Sequence, residues 1–312
     1  MSTIDPQEEW RLLVGGEWVP AGSVYPVVDP WTTETVGYAP DAGVDEAQAA
    51  VAAAREALPG WRSTPIEERC ALLGRLADLL AARAPDWATL VQAETGSTIS
   101  ITETLQVAGG LIDRFRYYSK PRDLDTAELP LAQGASALGA AGLIGASVHR
   151  QPVGVVLCIT PYNFPLTNVA GKIAPALAMG NTCIIKPAPQ DPLGILRLGE
   201  AIVDAGFPAG VVNIVTSSSA EAPASMVTSP EVNMVSFTGS TAVGQAIYAD
   251  GSTTMTRTLM ELGGKGALVM TDDADVDAAV RAIATVWGLS LIHISAPTRR
   301  YAISYAVFCL KK

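Results

Sequence analysis

At 312 residues the chain is long enough to bury a large core and to hold two domains. Its 49% hydrophobic and 17% charged content, with mean hydropathy +0.27, describes a well-buried α/β protein. A net charge of −10 and a pI near 4.7 argue against nucleic acid and anionic membrane as partners, since both repel an acidic surface.

No uninterrupted apolar run reaches the ~18 residues of a spanning helix. The opening MSTIDPQEEW is polar and acidic, so no secretory signal is expected. Cys70, Cys158, Cys183 and Cys309 show neither metal-ligand nor CxxC spacing. They read as reduced thiols of a cytoplasmic protein.

In chain order, residues 11–40 alternate short β-like pieces with turns at Gly15-Gly16 and Asp29-Pro30. From Asp45, read as a helix cap, an alanine-rich helix runs to about Leu58, with Val51, Ala54 and Leu58 on one face. Thr64-Pro65 opens a second helix, whose leucines at 72, 73, 76, 79 and 80 repeat at helical spacing. Pro85–Glu94 forms a third, broken at Thr95-Gly96, and Thr102 to about Tyr118 a fourth. Aromatic residues of the fourth, Phe115, Tyr117 and Tyr118, fit either a core or a substrate entrance. Residues 121–150, rich in Gly, Ala and Ser, fit either an excursion of strands or a mobile connection. His149 at their end reads as a surface residue.

The stretch from Val153 to Lys186 organises the rest. An apolar run to Ile159 has the composition of a buried strand, and a turn on Pro161, Asn163 and Pro165 follows. A small-residue helix, about 166–179, ends at Gly180-Asn181, and a second strand stops at Lys186-Pro187. Ligands of such βαβ units sit at the carboxyl ends of the strands, where Asn163 and Lys186 fall. Further strands are expected at 211–215, 234–237 and 267–271, with helices at 192–205, 221–228 and 241–249 between. This alternation argues a doubly wound parallel sheet with helices on both faces. A last helix is expected over Asp273–Trp287, with Asp272, Asp273, Asp275 and Asp277 gathered at its start by the helix dipole rather than around a metal.

Two segments bear chemistry by themselves. Phe237-Thr-Gly239-Ser240 reads as a strand end, tight turn and helix start; its N–H groups and the Ser240 hydroxyl fit either a phosphate or an ordinary cap. Glu261, between apolar residues and Gly263-Gly264, fits a general base whose pKa an apolar setting raises, or equally a strand-edge carboxylate paired with Lys265. The GxGxxG dinucleotide fingerprint follows none of the strands.

The order Pro161-Tyr-Asn-Phe-Pro165, Lys186-Pro-Ala188, Phe237-Thr-Gly-Ser240, Glu261-Leu-Gly-Gly-Lys265 resembles the NAD(P)-dependent aldehyde dehydrogenase superfamily over about residues 10–288. That resemblance implies its Rossmann-like sheet, which binds cofactor without the usual fingerprint, and oxidation of an aldehyde to an acid through a thiohemiacetal. It implies an oxyanion-hole amide at Asn163 and a general base at Glu261. On the cofactor side it implies Lys186 at the adenosine ribose, Gly239 and Ser240 at the pyrophosphate, and Thr160, Pro161, Ala188, Phe237 and Leu262 around them. The cofactor is NAD or NADP, with NAD somewhat favoured, no metal is implied, and the full-length parent is a homodimer or homotetramer.

Departures from the pattern stand out. Pro189 replaces a common ribose-holding glutamate, Ser217 and Ser219 replace glycines, and Gly266 replaces a Ser or Ala. The family nucleophile, a Cys in Gly-Gln-x-Cys about 34 residues past the base, would fall on Ser295; Cys309 lacks both spacing and context. Residues 290–312 resemble translated sequencing-adaptor read-through, so natural sequence is expected to stop near Gly288. The expected organisation is residues 1–120 as the amino-terminal part of the cofactor domain, 121–150 as a bridge, 151–288 as the Rossmann-like core truncated before the catalytic domain, and 289–312 as a non-native tail. Without that cysteine the chain is expected to be inactive, or a nucleotide-binding homologue without catalysis.

Overall fold

The computed structural model describes residues 4–121, 126–135, 141–264 and 269–287. The expected tail, with Ser295 and Cys309, lies outside them, as do Lys265 and Gly266.

A seven-stranded sheet in the order β11-β10-β7-β8-β9-β1-β2 forms the centre. Its parallel part comprises β7 (Val155–Ile159), β8 (Thr182–Lys186), β9 (Val212–Ile214), β10 (Met234–Gly239) and β11 (Arg257–Leu262). The hairpin β1 (Leu12–Val14) and β2 (Glu17–Val19) adds an antiparallel edge, so the sheet is mixed rather than purely parallel. Its turn needs positive φ at two successive residues, and Gly15 (63°) and Gly16 (85°) supply it.

Strand β7 shows why the run Val155–Ile159 is continuously apolar. Val156 and Cys158 face one core while Val155 and Leu157 face the other, so every residue is covered. The first core is roofed by α2 (Ile66–Ala82), α3 (Ala84–Thr95), α6 (Pro165–Ala178) and α7 (Leu193–Asp204). The second is roofed by α1 (Val44–Ser63), α8 (Glu221–Val227) and α9 (Thr241–Gly251). Trp61, Trp87 and Phe115 are fully buried, each worth ~1.5–3 kcal/mol in area removed from water. Phe115 is therefore core, whereas Tyr117 is exposed.

Two small antiparallel sheets stand apart from the main one. Strands β3 (Ser23–Val28) and β4 (Thr35–Asp41) meet across the Asp29-Pro30 turn. Strands β5 (Thr126–Ala135) and β6 (Ala141–His149) form the second pair, so residues 121–150 take the strand alternative. His149 is exposed, beside Ser147 Oγ at 3.0 Å.

Four expectations are corrected. The first helix starts at Val44 and not from Asp45 as cap: Glu46 reaches back to accept from the Gly43 N–H at 2.9 Å, and the helix continues through Pro59 to Ser63. The fourth helix changes winding: α4 (Ile99–Ile101) passes into a π-helix (Thr102–Ile112) and then α5 (Asp113–Tyr118). Gly110 in that π-helix lets its backbone approach α6 so closely that a Cβ would collide with Thr167. The strand expected at 267–271 does not form over 269–271, where Val269 and Met270 are exposed; the sheet edge is β11, ten residues earlier. The last helix, α10 (Val276–Trp287), starts later than Asp273, and Asp275 Oδ1 accepts the Ala278 N–H at 3.0 Å. Among the described residues no cluster of His, Cys, Asp and Glu has metal-binding form, and no helix is long and apolar enough to cross a membrane.

Candidate active site

One cavity of about 1080 Å³ opens along the carboxyl ends of β7, β8, β10 and β11. Thr160, Pro161 and Asn163 line it from the turn after β7, and Lys186 and Ala188 from the end of β8. Phe237, Gly239 and Ser240 line it from β10, and Glu261 and Leu262 from β11. All ten sequence candidates, drawn from four separated segments, thus share one wall system. Register explains the convergence: Lys186 pairs with Ile159, Ile159 with Phe237, and Thr238 with Glu261. Adjacent strands lie ~4.8 Å apart, so Lys186 and Glu261 stand roughly 14 Å apart across the site. An extended ligand fits that span.

Each wall has a local cause. The Thr160 N–H donates to the Lys186 carbonyl at 3.2 Å, tying the two strand ends together. Gly239 is obligatory because the Phe237 ring fills the space: a Cβ there would come within 2.5 Å of Phe237 Cζ. Ser240 caps α9, its Oγ accepting the Val243 N–H at a long 3.4 Å, so cap and ligand-facing hydroxyl coexist. Ser219 lines the cavity from the opposite side, whereas Ser217 is buried and donates to the Ala42 carbonyl at 2.8 Å. Glu261 is exposed rather than held in an apolar setting, which corrects the expectation of burial around it.

Three groups were not singled out in the sequence. Lys172, inside α6, donates to Thr238 Oγ1 at 2.8 Å and Ser236 Oγ at 3.1 Å. Burial pulls its amine below the usual lysine range, against the opposing pull of Cys158 and Glu261. A lone cation in a small-residue helix was the available signal. The second and third are the buried carboxylates Glu94 and Asp191; Lys186 itself is 7% exposed, and burial pushes its pKa down to about 8, with Asp191 and Asp41 opposing. Glu94 caps α7, its two oxygens accepting the Leu193 and Gly194 N–H groups at 2.8 Å each, and burial pushes its pKa up to about 8. Asp191 is 1% exposed, and its oxygens find no donor beyond the residue's own amide. Burial and the neighbouring Glu94 hold its carboxyl well above the ordinary range, against the pull of Lys186.

The three thiols among the described residues, Cys70, Cys158 and Cys183, are free and buried, away from the cavity lining.

The model of the aldehyde dehydrogenase family matches residues 18–289. The mitochondrial aldehyde dehydrogenase of Leishmania tarentolae is 37% identical over 278 residues, 88% of this chain and 54% of its own. Succinate-semialdehyde dehydrogenase (NADP(+)) GabD of Escherichia coli (strain K12) is 35% identical over 273 residues, 86% of this chain and 55% of its own. Among solved structures, PnpE in complex with nicotinamide adenine dinucleotide superposes with TM-score 0.81 at 35% identity, over 89% of this chain and 55% of that one. The chain spans about half the length of the curated relatives it matches.

Proposed function

The chain belongs to the aldehyde dehydrogenase family, and from that membership we propose that it forms the cofactor-binding part of an enzyme oxidising an aldehyde to a carboxylic acid with NAD or NADP. The observation that carries this reading is the convergence of Asn163, Lys186, Ser240 and Glu261 on one elongated cavity. When bound, the dinucleotide supplies the two-electron acceptor.

The residues present fit such a ligand. The Lys186 amine, depressed by burial, gains most from a ligand whose hydroxyls or phosphates restore what water no longer provides. The α9 amino terminus and Ser240 Oγ offer donors to a pyrophosphate, and Gly239 lets it approach closely. The Asn163 side-chain amide donates to the aldehyde oxygen as that oxygen gains charge. The Glu261 carboxylate accepts the proton of the nucleophile or of the attacking water.

A second reading concerns the 312-residue chain alone: it holds dinucleotide and does not turn over. Its support is that Cys70, Cys158 and Cys183 are buried and none lines the cavity. The same free thiols support a reducing, cytoplasmic compartment.

Titration of the purified chain with NAD and NADP, followed by an aldehyde-dependent reduction assay, tests both. Saturable binding weakened about tenfold or more in Lys186→Ala, without turnover, is the expected result. Failure of a folded chain to bind either dinucleotide refutes the first reading. Turnover abolished by Glu261→Ala refutes the second.

A further inference from the structure

Asp41, the last residue of β4, stands behind the cavity wall that follows β9. Its half-buried carboxylate is held by a residue of that wall. The Ser218 N–H donates to Oδ1 at 2.8 Å and the Ser218 hydroxyl to Oδ2 at 2.7 Å, so each oxygen receives one hydrogen. Ser218 itself lines the cavity. Both of its hydrogens are engaged from behind, and a ligand in front of it meets lone pairs instead of donors.

The backbone carries this carboxylate toward Lys186. The Ala42 N–H donates to the Thr216 carbonyl at 2.9 Å, and the Val215 N–H to the Ile185 carbonyl at 2.9 Å. The end of β4 is thereby stitched to the segment after β9, and that segment to the residue before Lys186. Asp191 and Asp41 are the carboxylates that act on the Lys186 amine. Asp191 is 1% exposed, and burial beside Glu94 favours its protonated form, so the standing charge is that of Asp41. Among the described residues Lys186 is the one cation of the cavity lining, and its neighbour Pro189 adds neither a charge nor an N–H. A ribose that carries hydroxyls needs little more than this amine. A ribose 2′-phosphate brings about two negative charges and three acceptor oxygens. It would meet a carboxylate close by and no free donor on Ser218.

Resting on the function proposed above, we propose that Asp41 is the specificity residue that makes this cavity take NAD in preference to NADP. It excludes the 2′-phosphate in two ways, by its charge beside Lys186 and by its hold on the Ser218 hydrogens. Discrimination of this kind comes from repulsion and missing partners for the rejected ligand, not from added contacts to the accepted one.

The test titrates the 312-residue chain with NAD and with NADP at pH 7 and reads each Kd from the heat of binding. The wild-type chain is expected to bind NAD about tenfold or more tightly than NADP. Asp41→Asn keeps the shape of the side chain and an acceptor for the Ser218 N–H while removing the charge. It is expected to narrow the preference to about threefold or less, mainly through tighter binding of NADP. Asp41→Ala also frees both Ser218 hydrogens; it is expected to narrow the preference at least as far, and it replaces the Asn variant should that one not fold. A purely structural role for Asp41 would weaken both dinucleotides by the same factor and leave their ratio as it was. An unchanged ratio in these variants, a wild-type chain without preference for NAD, or a larger change of ratio in Asp250→Asn, whose carboxylate also lines the cavity, overturns the proposal while dinucleotide binding stands. Failure of the folded wild-type chain to bind either dinucleotide overturns the function reading, and this proposal with it.

Discussion

Replacing Asp191 by Asn should make the protein more stable and its cofactor site weaker. Asp191 is 1% exposed and lacks a donor beyond its own amide, so ionising it leaves a buried charge without hydrogen bonds. Such an ion is penalised by several kcal/mol after relaxation, while an unpaired neutral amide costs about 1–3 kcal/mol. The difference, about 1–3 kcal/mol in favour of Asn once Asp191 is ionised, corresponds to a rise in Tm of roughly 2–10 °C for a chain of this size. The sign follows from linkage. The folded pKa is raised, so the native state keeps a proton that the unfolded chain releases above about pH 4. Stability is therefore fullest below that value and is lost as pH climbs through the folded pKa. The advantage of Asn should grow from nothing near pH 4 to its full size at alkaline pH. Glu94, whose folded pKa of about 8 is raised in the same direction, leaves a residual slope in the variant. The proposed cofactor site responds oppositely, because Asp191, once ionised, is the foremost charge supporting the Lys186 amine. Without it the amine loses protons at lower pH, and dinucleotide binding at pH 8 should weaken several-fold. Thermal unfolding at pH 5, 7 and 9, with dinucleotide titration at pH 8, checks both halves. A variant less stable than wild type at pH 9 refutes the unpaired-charge argument; unchanged affinity refutes the coupling to Lys186.

Three further outcomes are expected. Asn213→Ala should destabilise the fold by about 2–4 kcal/mol in denaturant titration, because the buried Asn213 accepts the Gly15 N–H and donates to the Gly210 carbonyl at 2.8 Å each, and both partners would be stranded. Ser240→Ala should cost under about 1 kcal/mol of stability, since its capping bond is long, yet weaken dinucleotide binding measurably; equal losses in both would remove Ser240 from the binding surface. Wild-type affinity for the dinucleotide should fall as pH rises from 7 to 9, as the Lys186 amine, at about 8, loses its charge. Lys186→Gln should bind more weakly at every pH with a flat profile, and a variant retaining the slope would assign it to another group.

The parallel core was legible because burial on both faces leaves an unmistakable pattern. Val155–Ile159 and Thr182–Lys186 must be apolar along their whole length, and their limits followed from the Pro and Gly residues around them. Edge strands carry no such constraint. Arg257–Leu262 alternates exposed and half-buried positions and includes Arg, Thr and Glu, so its run RTLMEL carries a weaker strand signal than the apolar stretch beyond it. The π-helix was hidden for a related reason. Its signature lies in the close contact of Gly110 with Thr167, fifty-seven residues away in the chain, and periodicity within one segment cannot report a contact with another.

The site divides along the same physical line. Asn163, Lys186, Ser240 and Glu261 stand where strands end, and a strand end is a local feature that turn residues mark. What tunes those groups comes from elsewhere. Asp191 and Asp41 act on Lys186 from a loop and the end of β4, and Lys172 reaches Thr238 across the sheet face. The order of the motifs locates the chemistry; the charges that set its working pH are brought together only by folding. A substitution at a motif residue should therefore change binding directly, and one at Asp191 or Asp41 should change the pH at which binding occurs.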